Sequence, residues 1–320
     1  MTEPDRLSLT TLPTPLEPAP RLAEALGLRP GGLWIKRDDL TGLGAGGNKV
    51  RKLERTVAVA LRDGADTLVT TGAAQSNHAR LTAAAGARLG LSVVLVLAGR
   101  EEEPVGNLLL DGLFGATIHW AGDVDDSELA LVAAELASRL SANGARPAVI
   151  PFGGSNRDGA LAYAEAAREL RSQLREEAIS IVAVGSGGTM AGLVAEFGPE
   201  RVLGVHTGAV AEPNETVACL VGTLTDGVLP TMLRLRTDQV GAGYSHITDD
   251  AAEAIRLAAR TEGLVLDPIY TGRALAGLRA AVRDGDLDPD AAVVFWHTGG
   301  LPGLFGHPLA GRLAEAPPGS

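Results

Sequence analysis

The stretch GGNKVRKLE, residues 46–54, is the segment around which we expect the rest of this 320-residue chain to be arranged. A glycine-rich loop there leads into a predicted helix over 50–63, and Lys49 lies at the junction. Only three of the 28 lysine and arginine residues are lysines. An amine can lose its proton and form a Schiff base with a carbonyl, whereas a guanidinium stays charged. The pattern therefore indicates either amine chemistry at Lys49 or a lysine left on the surface by chance.

Length and composition are typical of a compact α/β protein with about two domains. Apolar residues make up 45% of the chain and aromatic residues 3%, and the net charge of -11 argues against nucleic acid as a partner. Neither a signal peptide nor an apolar stretch of the roughly 20 residues that a membrane span needs is recognisable. We expect a soluble, cytoplasmic protein with no membrane partner. The single cysteine, Cys219, is expected to be a small buried residue.

Predicted strands and helices alternate along most of the chain. Continuous apolar runs such as SVVLVLA, residues 92–98, are typical of strands buried on both faces. The alternation predicts an α/β protein with two open, twisted parallel-sheet domains and helices on both faces of each sheet. The large domain is predicted to comprise residues 1–50 and 157–320, and the small domain residues 51–156. Residues 206–243 have no clear pattern.

Two glycine-rich loops follow predicted strands. GSGGT, residues 185–189, is neither a Walker loop nor a GxGxxG motif, and it is followed by a helix. Small residues there leave backbone N–H groups free, and the helix start adds roughly half a positive charge. With the hydroxyls of Ser186 and Thr189, the loop indicates a site for a cofactor phosphate; the alternative is a tight turn. HTGG, residues 297–300, closes the last buried strand, where open α/β sheets bind ligands.

A third motif, GAAQSNHAR at residues 72–80, also follows a strand and opens a helix. Ser76 is placed as the N-cap of that helix. The helix start could also hold a substrate carboxylate, with hydrogen bonds from Ser76 and Asn77. No second ligand lies at metal-binding spacing from His78, so we predict no metal site and interpret His78 as a structural or supporting residue.

Two of the three tyrosines lie in loops rich in glycine or next to a helix start. Tyr244 belongs to GAGYS, residues 241–245, and Tyr270 to DPIYTGRA, residues 267–274. Loop tyrosines are often simply packed, but loops also carry catalytic residues. Either interpretation is open from the pattern alone.

These motifs together resemble a known family, the pyridoxal-phosphate enzymes of the tryptophan synthase β fold (fold type II), and within it the D-cysteine desulfhydrase and 1-aminocyclopropane-1-carboxylate deaminase group. The resemblance covers residues 12–307 and is carried, in order, by LWIKRDDL, GGNKVRKLE, GAAQSNHAR, IPFGGSN, GSGGT, EGLVLDPIYTGRALAGL and HTGG. It implies pyridoxal 5'-phosphate as cofactor, in the cleft between the two domains. It also implies a small amino-acid substrate and a homodimer.

The resemblance implies a role for each motif. Lys49 would bind the cofactor covalently, Asn77 would meet its ring oxygen, and Thr298 its pyridine nitrogen. Its phosphate would lie on the loop made of Gly185, Ser186, Gly187, Gly188 and Thr189. The catalytic residues would be Lys49, Ser76, Tyr244 and Tyr270. The substrate would be bound by Ser76, Asn77, His78, Tyr270 and Thr271.

Within the family, two features favour a desulfhydrase. Thr271 stands where the deaminases have a glutamate, and QSNH is more typical of desulfhydrases. The predicted reaction is β-elimination from D-cysteine to pyruvate, ammonia and hydrogen sulfide. Deamination of 1-aminocyclopropane-1-carboxylate and the L-cysteate sulfo-lyase reaction are alternative activities. A non-catalytic protein that binds a phosphorylated metabolite is an alternative of another class. Lys52 is predicted to be only a charge on a helix face.

Overall fold

Two β-sheets form the framework of the computed structural model, which describes residues 6–314. The strands are β1 (Leu16–Pro18), β2 (Leu33–Lys36), β3 (Thr67–Gly72), β4 (Ser92–Leu97), β5 (Thr117–Trp120), β6 (Pro147–Ile150), β7 (Ala178–Val184), β8 (Val202–His206), β9 (Arg234–Arg236) and β10 (Ala292–Trp296). The helices are α1 (Pro20–Leu26), α2 (Lys49–Arg62), α3 (Asn77–Leu89), α4 (Gly106–Leu113), α5 (Asp126–Ala142), α6 (Arg157–Gln173), α7 (Gly188–Phe197), α8 (Pro213–Gly222), α9 (Asp249–Glu262), α10 (Thr271–Arg283) and α11 (Leu301–Gly306).

The sheet topology confirms the predicted fold class. The smaller sheet has the order β5-β4-β3-β6, and all its neighbouring strands are parallel. The larger sheet has the order β1-β2-β10-β7-β8-β9 and is parallel except for the edge strand β1. Residues 51–156 supply the smaller sheet, and the rest of the chain supplies the larger one. The domain bounds themselves stay a prediction, and residues 1–5 and 315–320 lie outside the described part.

Helices cover both faces of the larger sheet, as the apolar strands require. Phe295 of β10 packs into an apolar cluster with residues of α1, α9 and α10. Its neighbour Trp296 points to the opposite face, into a cluster with residues of α6, α7 and α8. Successive side chains of a strand point to opposite faces, so a strand buried on both sides is apolar at every position. This is why the continuous apolar runs predicted the layers correctly.

A buried ion network holds α2 against the larger sheet. Arg51 donates to both carboxylate oxygens of Asp38, at 3.0 and 2.9 Å, and to Glu169 of α6. Lys36, at the end of β2, is fully buried and lies 2.5 Å from the same Glu169. Each buried charge has a partner of opposite sign, which offsets the cost of desolvation. The start of α2, where Lys49 lies, is thereby fixed relative to both α6 and β2.

The structure contradicts the expectation for the single cysteine. Cys219 is exposed on α8, so the prediction that it is buried was wrong. Val217 and Val221, four residues apart on that helix, face the core, and Cys219 lies on the other side. The unpatterned region around it contains both α8 and β9. Within residues 6–314, no helix combines the length and the apolar character that crossing a membrane requires.

Candidate active site

Ten of the predicted site residues line one cavity. Most of its walls come from segments that directly follow parallel strands: β3, β6, β7 and β10. The carboxyl ends of such strands form the crevice where open α/β sheets bind ligands. The ten residues are Lys49, Ser76, Asn77, His78, Gly185, Ser186, Gly187, Thr189, Tyr270 and Thr298.

Lys49 is the first residue of α2 and reaches into this cavity. Its Nζ lies 3.3 Å from Asn48 Oδ1. Burial lowers its pKa to about 8, the negative charge of Asp267 opposes the shift, and the positive charge of Arg80 adds to it. A larger share of the amine is therefore neutral near pH 7 than in a solvated lysine, whose pKa is about 10.4. The neutral amine is the form that attacks a carbonyl.

The glycines before Lys49 are required by close backbone contacts. A Cβ on Gly46 would lie 2.0 Å from the carbonyl oxygen of Asp39, and one on Gly47 would lie 3.1 Å from that of Thr298. The loop is held from two further sides: Arg80 Nη2 donates to the Gly46 carbonyl at 3.0 Å, and Asn48 N donates to the Thr298 carbonyl at 3.0 Å. The glycine-rich loop thus fixes Lys49 between the two sheets.

GSGGT forms the start of α7, with Gly187 as a left-handed N-cap. The hydroxyls of Ser186 and Thr189 line the cavity beside it, and Asn48 Nδ2 donates to Thr189 Oγ1 at 2.9 Å. Free N–H groups at a helix start attract anions. The alternative that this segment is only a tight turn does not account for the polar groups gathered around it.

Lys52 is the residue that the sequence interpretation misjudged. It is 1% exposed and lines the cavity, so the prediction of a mere surface charge was wrong. Its Nζ donates to Ser155 Oγ at 2.9 Å and to the Gly153 carbonyl at 3.3 Å. Within residues 6–314 it has no acidic partner, and burial, followed by the charge of Lys49, moves its pKa well below the usual value.

An anion bound in the cavity would give Lys52 the negatively charged partner that it lacks within residues 6–314. Gly188 leaves room for the ammonium, since a Cβ there would lie 2.9 Å from Lys52 Nζ. Ser155 Oγ lies 2.8 Å from Ser186 Oγ, so Lys52 and the start of α7 converge on the same part of the cavity. A buried amine that a bound anion would keep protonated, a helix start and two hydroxyls together fit a phosphate group.

The tautomer of His78 follows from its neighbours. Thr70 Oγ1 donates to the Ile150 carbonyl at 2.9 Å, and His78 Nε2 lies 2.9 Å from the same hydroxyl. Because that hydroxyl has one proton, Nε2 must be the donor and Nδ1 the unprotonated nitrogen. Nδ1 has no partner in the described part of the chain. Burial, with the charges of Lys49 and Lys52, lowers the pKa of His78 well below its usual value, so the ring is neutral.

The start of α3 forms another wall of the cavity. Ser76 Oγ accepts from Ala79 N at 3.1 Å, which confirms the predicted N-cap. Asn77 also lines the cavity, and its buried Oδ1 accepts no hydrogen bond from residues 6–314. Ser76 Oγ keeps its own proton to donate, so this wall leaves hydrogen-bonding capacity for a ligand.

Tyr270 and Tyr244 form a pair at the side of the cavity. Their hydroxyls are hydrogen-bonded, and their rings meet edge to face with centroids 6.1 Å apart. Burial raises the pKa of Tyr244 to about 12 and that of Tyr270 well above its usual value, so both keep their protons near neutral pH. Tyr244 contacts the site through Tyr270, since it does not line the cavity that contains Lys49.

Thr271 points away from the cavity that contains Lys49. Its hydroxyl donates to Asp267 Oδ1 at 2.7 Å. Asp267 also accepts from the backbone N–H groups of Ile269, Tyr270 and Thr271, at 2.8 to 3.0 Å. This carboxylate therefore holds the turn that sets Tyr270 at the start of α10. The sequence interpretation did not identify Asp267; its position just before Tyr270 and a helix start was the available signal.

The chain is similar to known proteins over most of its length. Residues 7–299 match the family model described as pyridoxal-phosphate dependent enzyme. The D-cysteine desulfhydrase of Salmonella schwarzengrund (strain CVM19633) is 42% identical over 324 residues, covering 94% of this chain and 96% of the relative. A solved structure described as an ACC deaminase homologue is 37% identical, with a TM-score of 0.87, over 96% of this chain and 95% of the other. Threonine deaminase isoform 2 from Solanum lycopersicum, 18% identical with a TM-score of 0.65, covers 91% of this chain and 80% of that chain and shares the fold.

Proposed function

Because this chain belongs to the pyridoxal-phosphate-dependent enzyme family, we propose that it is a carbon–sulfur lyase that converts D-cysteine and water to pyruvate, ammonia and hydrogen sulfide. The observation that carries the proposal is the placement of Lys49 and Lys52 in one cavity. The first is an amine with a lowered pKa, and the second is a buried amine without an acidic partner among residues 6–314. The 42% identity to a D-cysteine desulfhydrase supports the choice of substrate.

The residues present fit the cofactor. Lys49 would carry it covalently, and Lys52 with the start of α7 would hold its phosphate. Thr298 would face the ring nitrogen and Asn77 the ring oxygen, as both line the same cavity. A neutral threonine cannot keep a ring nitrogen protonated as a carboxylate can, so this site would give a weaker electron sink.

Lys49 and the tyrosine pair would perform the proton transfers. The bound cofactor supplies a conjugated ring that stabilises negative charge on the α-carbon of the substrate. The amine of Lys49 would take the proton from that carbon, for which its lowered pKa suits it. Tyr270 keeps its proton because of burial and the contact with Tyr244, so its hydroxyl can donate to the departing sulfur.

The start of α3 would orient the substrate. Ser76 and Asn77 offer a hydroxyl and an amide at a helix start, which favours the substrate carboxylate. His78 is neutral and presents an acceptor nitrogen, so it suits a donor group of the ligand rather than an anion. The three residues would thereby distinguish the two ends of the amino acid.

A panel of amino acids tests the substrate. We expect the purified protein with its cofactor to release sulfide and pyruvate from D-cysteine with a kcat/KM at least about tenfold above that for L-cysteine, which corresponds to about 1.4 kcal/mol. Release of α-ketobutyrate from 1-aminocyclopropane-1-carboxylate, or of sulfite from L-cysteate, at a higher kcat/KM would show one of the two alternative activities. A colourless protein that takes up no added pyridoxal phosphate would show a non-catalytic binding protein.

A homodimer is also part of the proposal. Leu109 and Leu113 lie four residues apart on α4, and Leu301 and Phe305 have the same spacing on α11; the four are 48%, 70%, 42% and 72% exposed. The two helices pack against each other, and we infer that these side chains form one apolar surface that a second copy can cover. We expect Phe305→Glu to shift the sedimentation coefficient to that of a monomer. The same change at Leu131, 68% exposed on α5, is the control and should leave it unchanged.

We also propose a cytoplasmic location. Recovery of the chain from a membrane or extracellular fraction of the cells would contradict that part.

A further inference from the structure

Four polar side chains, one of which is that of Asn77, lie close together where α3, α4 and α11 pack. Asn77 and Arg80 lie three residues apart on α3, and Asn107 and Asp111 lie four apart on α4. Arg80, Asn107 and Asp111 are each 0% exposed. Gly303 of α11 leaves space beside them, since a Cβ there would lie 3.4 Å from Asn107 Nδ2 and 3.9 Å from Asn77 Oδ1. We call this group the polar chamber.

The protein leaves much of the hydrogen-bonding capacity of the polar chamber unused. Arg80 Nε and Nη1 find no acceptor within residues 6–314, and both carboxylate oxygens of Asp111 find no donor there. The side-chain oxygens of Asn77 and Asn107 are in the same situation. Native proteins rarely bury so many unpaired polar atoms in one place, and an unsatisfied buried charge is especially costly.

Water is the ligand that fits this set of groups. The polar chamber offers three N–H bonds, on Arg80 Nε and Nη1, and four acceptor oxygens, so its occupant must both donate and accept. Arg80 would repel a cation and Asp111 would repel an anion, whereas the two charges together balance. A buried water with two to four polar partners satisfies these conditions.

Arg80 links the polar chamber to Lys49. Its remaining nitrogen, Nη2, donates to the Gly46 carbonyl at 3.0 Å, at the start of the loop that ends at Lys49. Its positive charge also contributes to the lowered pKa of Lys49. Burial raises the pKa of Asp111 to about 7, and Arg80 opposes that shift, so the two groups act on each other without a direct hydrogen bond.

We propose that the polar chamber binds water that bridges Asp111 to Arg80, and that Asp111 is through this bridge a positioning residue for the loop that carries Lys49. The proposal rests on the proposed function only in treating that loop as part of the cofactor site. The chain of contacts runs from Asp111 through water to Arg80, then to the Gly46 carbonyl and Lys49. Asn77 shares the polar chamber and would be held by the same water.

A crystal structure of the holoenzyme tests the bridge itself. We expect solvent density within hydrogen-bonding distance of both an Asp111 oxygen and Arg80 Nε or Nη1. Direct contact between Arg80 and Asp111 with no solvent would overturn the proposal, as would a bound monovalent cation. Cofactor release measured in potassium chloride and in choline chloride separates the last case: equal rates support water, and a potassium-dependent rate contradicts it. The crystal structure needs no substrate, so failure of the D-cysteine assay leaves this test intact.

The variant Asp111→Asn tests the positioning role. Asparagine keeps the shape of the side chain but leaves the charge of Arg80 unbalanced. Above the Asp111 pKa of about 7, where the native carboxyl is charged, we expect cofactor release about tenfold faster and a shifted absorption maximum of the bound cofactor. Leu108→Ala is the matched control, because Leu108 is buried on the same helix in an apolar cluster. It should lower the free energy of unfolding. The rate of cofactor release should stay within twofold of the native rate, and the absorption maximum of the bound cofactor should not shift. Release rates that simply follow stability in both variants would overturn the positioning role, and the crystal structure decides the bridge if Asp111→Asn does not fold.

Discussion

Lys49→Ala is expected to remove both the visible absorption of the bound cofactor and the lyase activity. The alanine variant keeps the cavity but lacks the amine that bonds to the cofactor and takes the α-proton. Losing both roles is expected to lower kcat by more than about a thousandfold. The absorption spectrum and a sulfide assay on the same sample measure the two losses together.

Lys49→Arg provides the matched control for charge. Arginine restores a positive side chain at the start of α2 but offers no amine with a pKa near 8. We therefore expect it to be as inactive as the alanine variant. An arginine variant with substantial activity, or an alanine variant that keeps a chromophore reducible by borohydride, would show that Lys49 is not the anchor.

Lys52→Met is the second change with a large expected effect. It should weaken cofactor binding, yet it should not lower the stability of the apoprotein. Removal of a charge-assisted contact to phosphate is expected to weaken cofactor binding about tenfold to a hundredfold, or about 1.4 to 2.8 kcal/mol. In the apoprotein the same change removes a buried amine that has no acidic partner within residues 6–314, so stability to unfolding should stay equal or rise. Titration of apoprotein with pyridoxal phosphate and urea unfolding measure the two effects.

The unpaired, buried amine of Lys52 should also make the stability of the apoprotein to unfolding depend on pH. The pKa of Lys52 is lowered in the folded chain, so the unfolded chain binds the extra proton between that lowered value and about 10.4. Stability of the apoprotein should therefore increase with pH through this window. Lys49 adds to this trend above its pKa of about 8. The part due to Lys52 should disappear in Lys52→Met.

Lys36→Met is the control for a buried lysine. Lys36 is equally buried but lies 2.5 Å from Glu169, so its removal leaves a partly buried carboxylate without that partner. We expect this variant to be less stable and to bind the cofactor with nearly native affinity. If the Lys52 variant instead bound the cofactor within twofold of the native protein, the phosphate site would lie elsewhere.

The fold could be predicted because its signals are local. Strand β10, for example, is buried on both faces, and all of its residues are apolar for that reason. The loops that follow such strands meet in one crevice, so motifs far apart in the chain, which the family resemblance assigned to one site, lie close together. The edge strands β1 and β9 are three residues long and have no comparable pattern, so neither was predicted.

Some site residues could not be predicted, because their surroundings are set by contacts between segments that are far apart in the sequence. Lys52 resembles any charge on a helix, and only its packing against Ser155 and Gly153, about 100 residues away, shows that it is buried. Arg80 and Asp111 belong to different helices, and their relation depends on how α3 packs on α4. The direction of Thr271 toward Asp267 is likewise decided by the turn before α10. The residue types in the motifs indicated a family, but only the packing of the helices and loops shows which side chains contact each other.

Reduction with borohydride followed by peptide mapping tests the assignment of Lys49 most directly. The coloured holoenzyme is reduced, digested and examined by mass spectrometry, so that the covalent carbon–nitrogen link is fixed where it forms. We expect one pyridoxyl phosphate group per chain, on Lys49. A group on Lys52 or Lys36, or no covalent group in a coloured protein, would contradict the central claim that Lys49 anchors the cofactor.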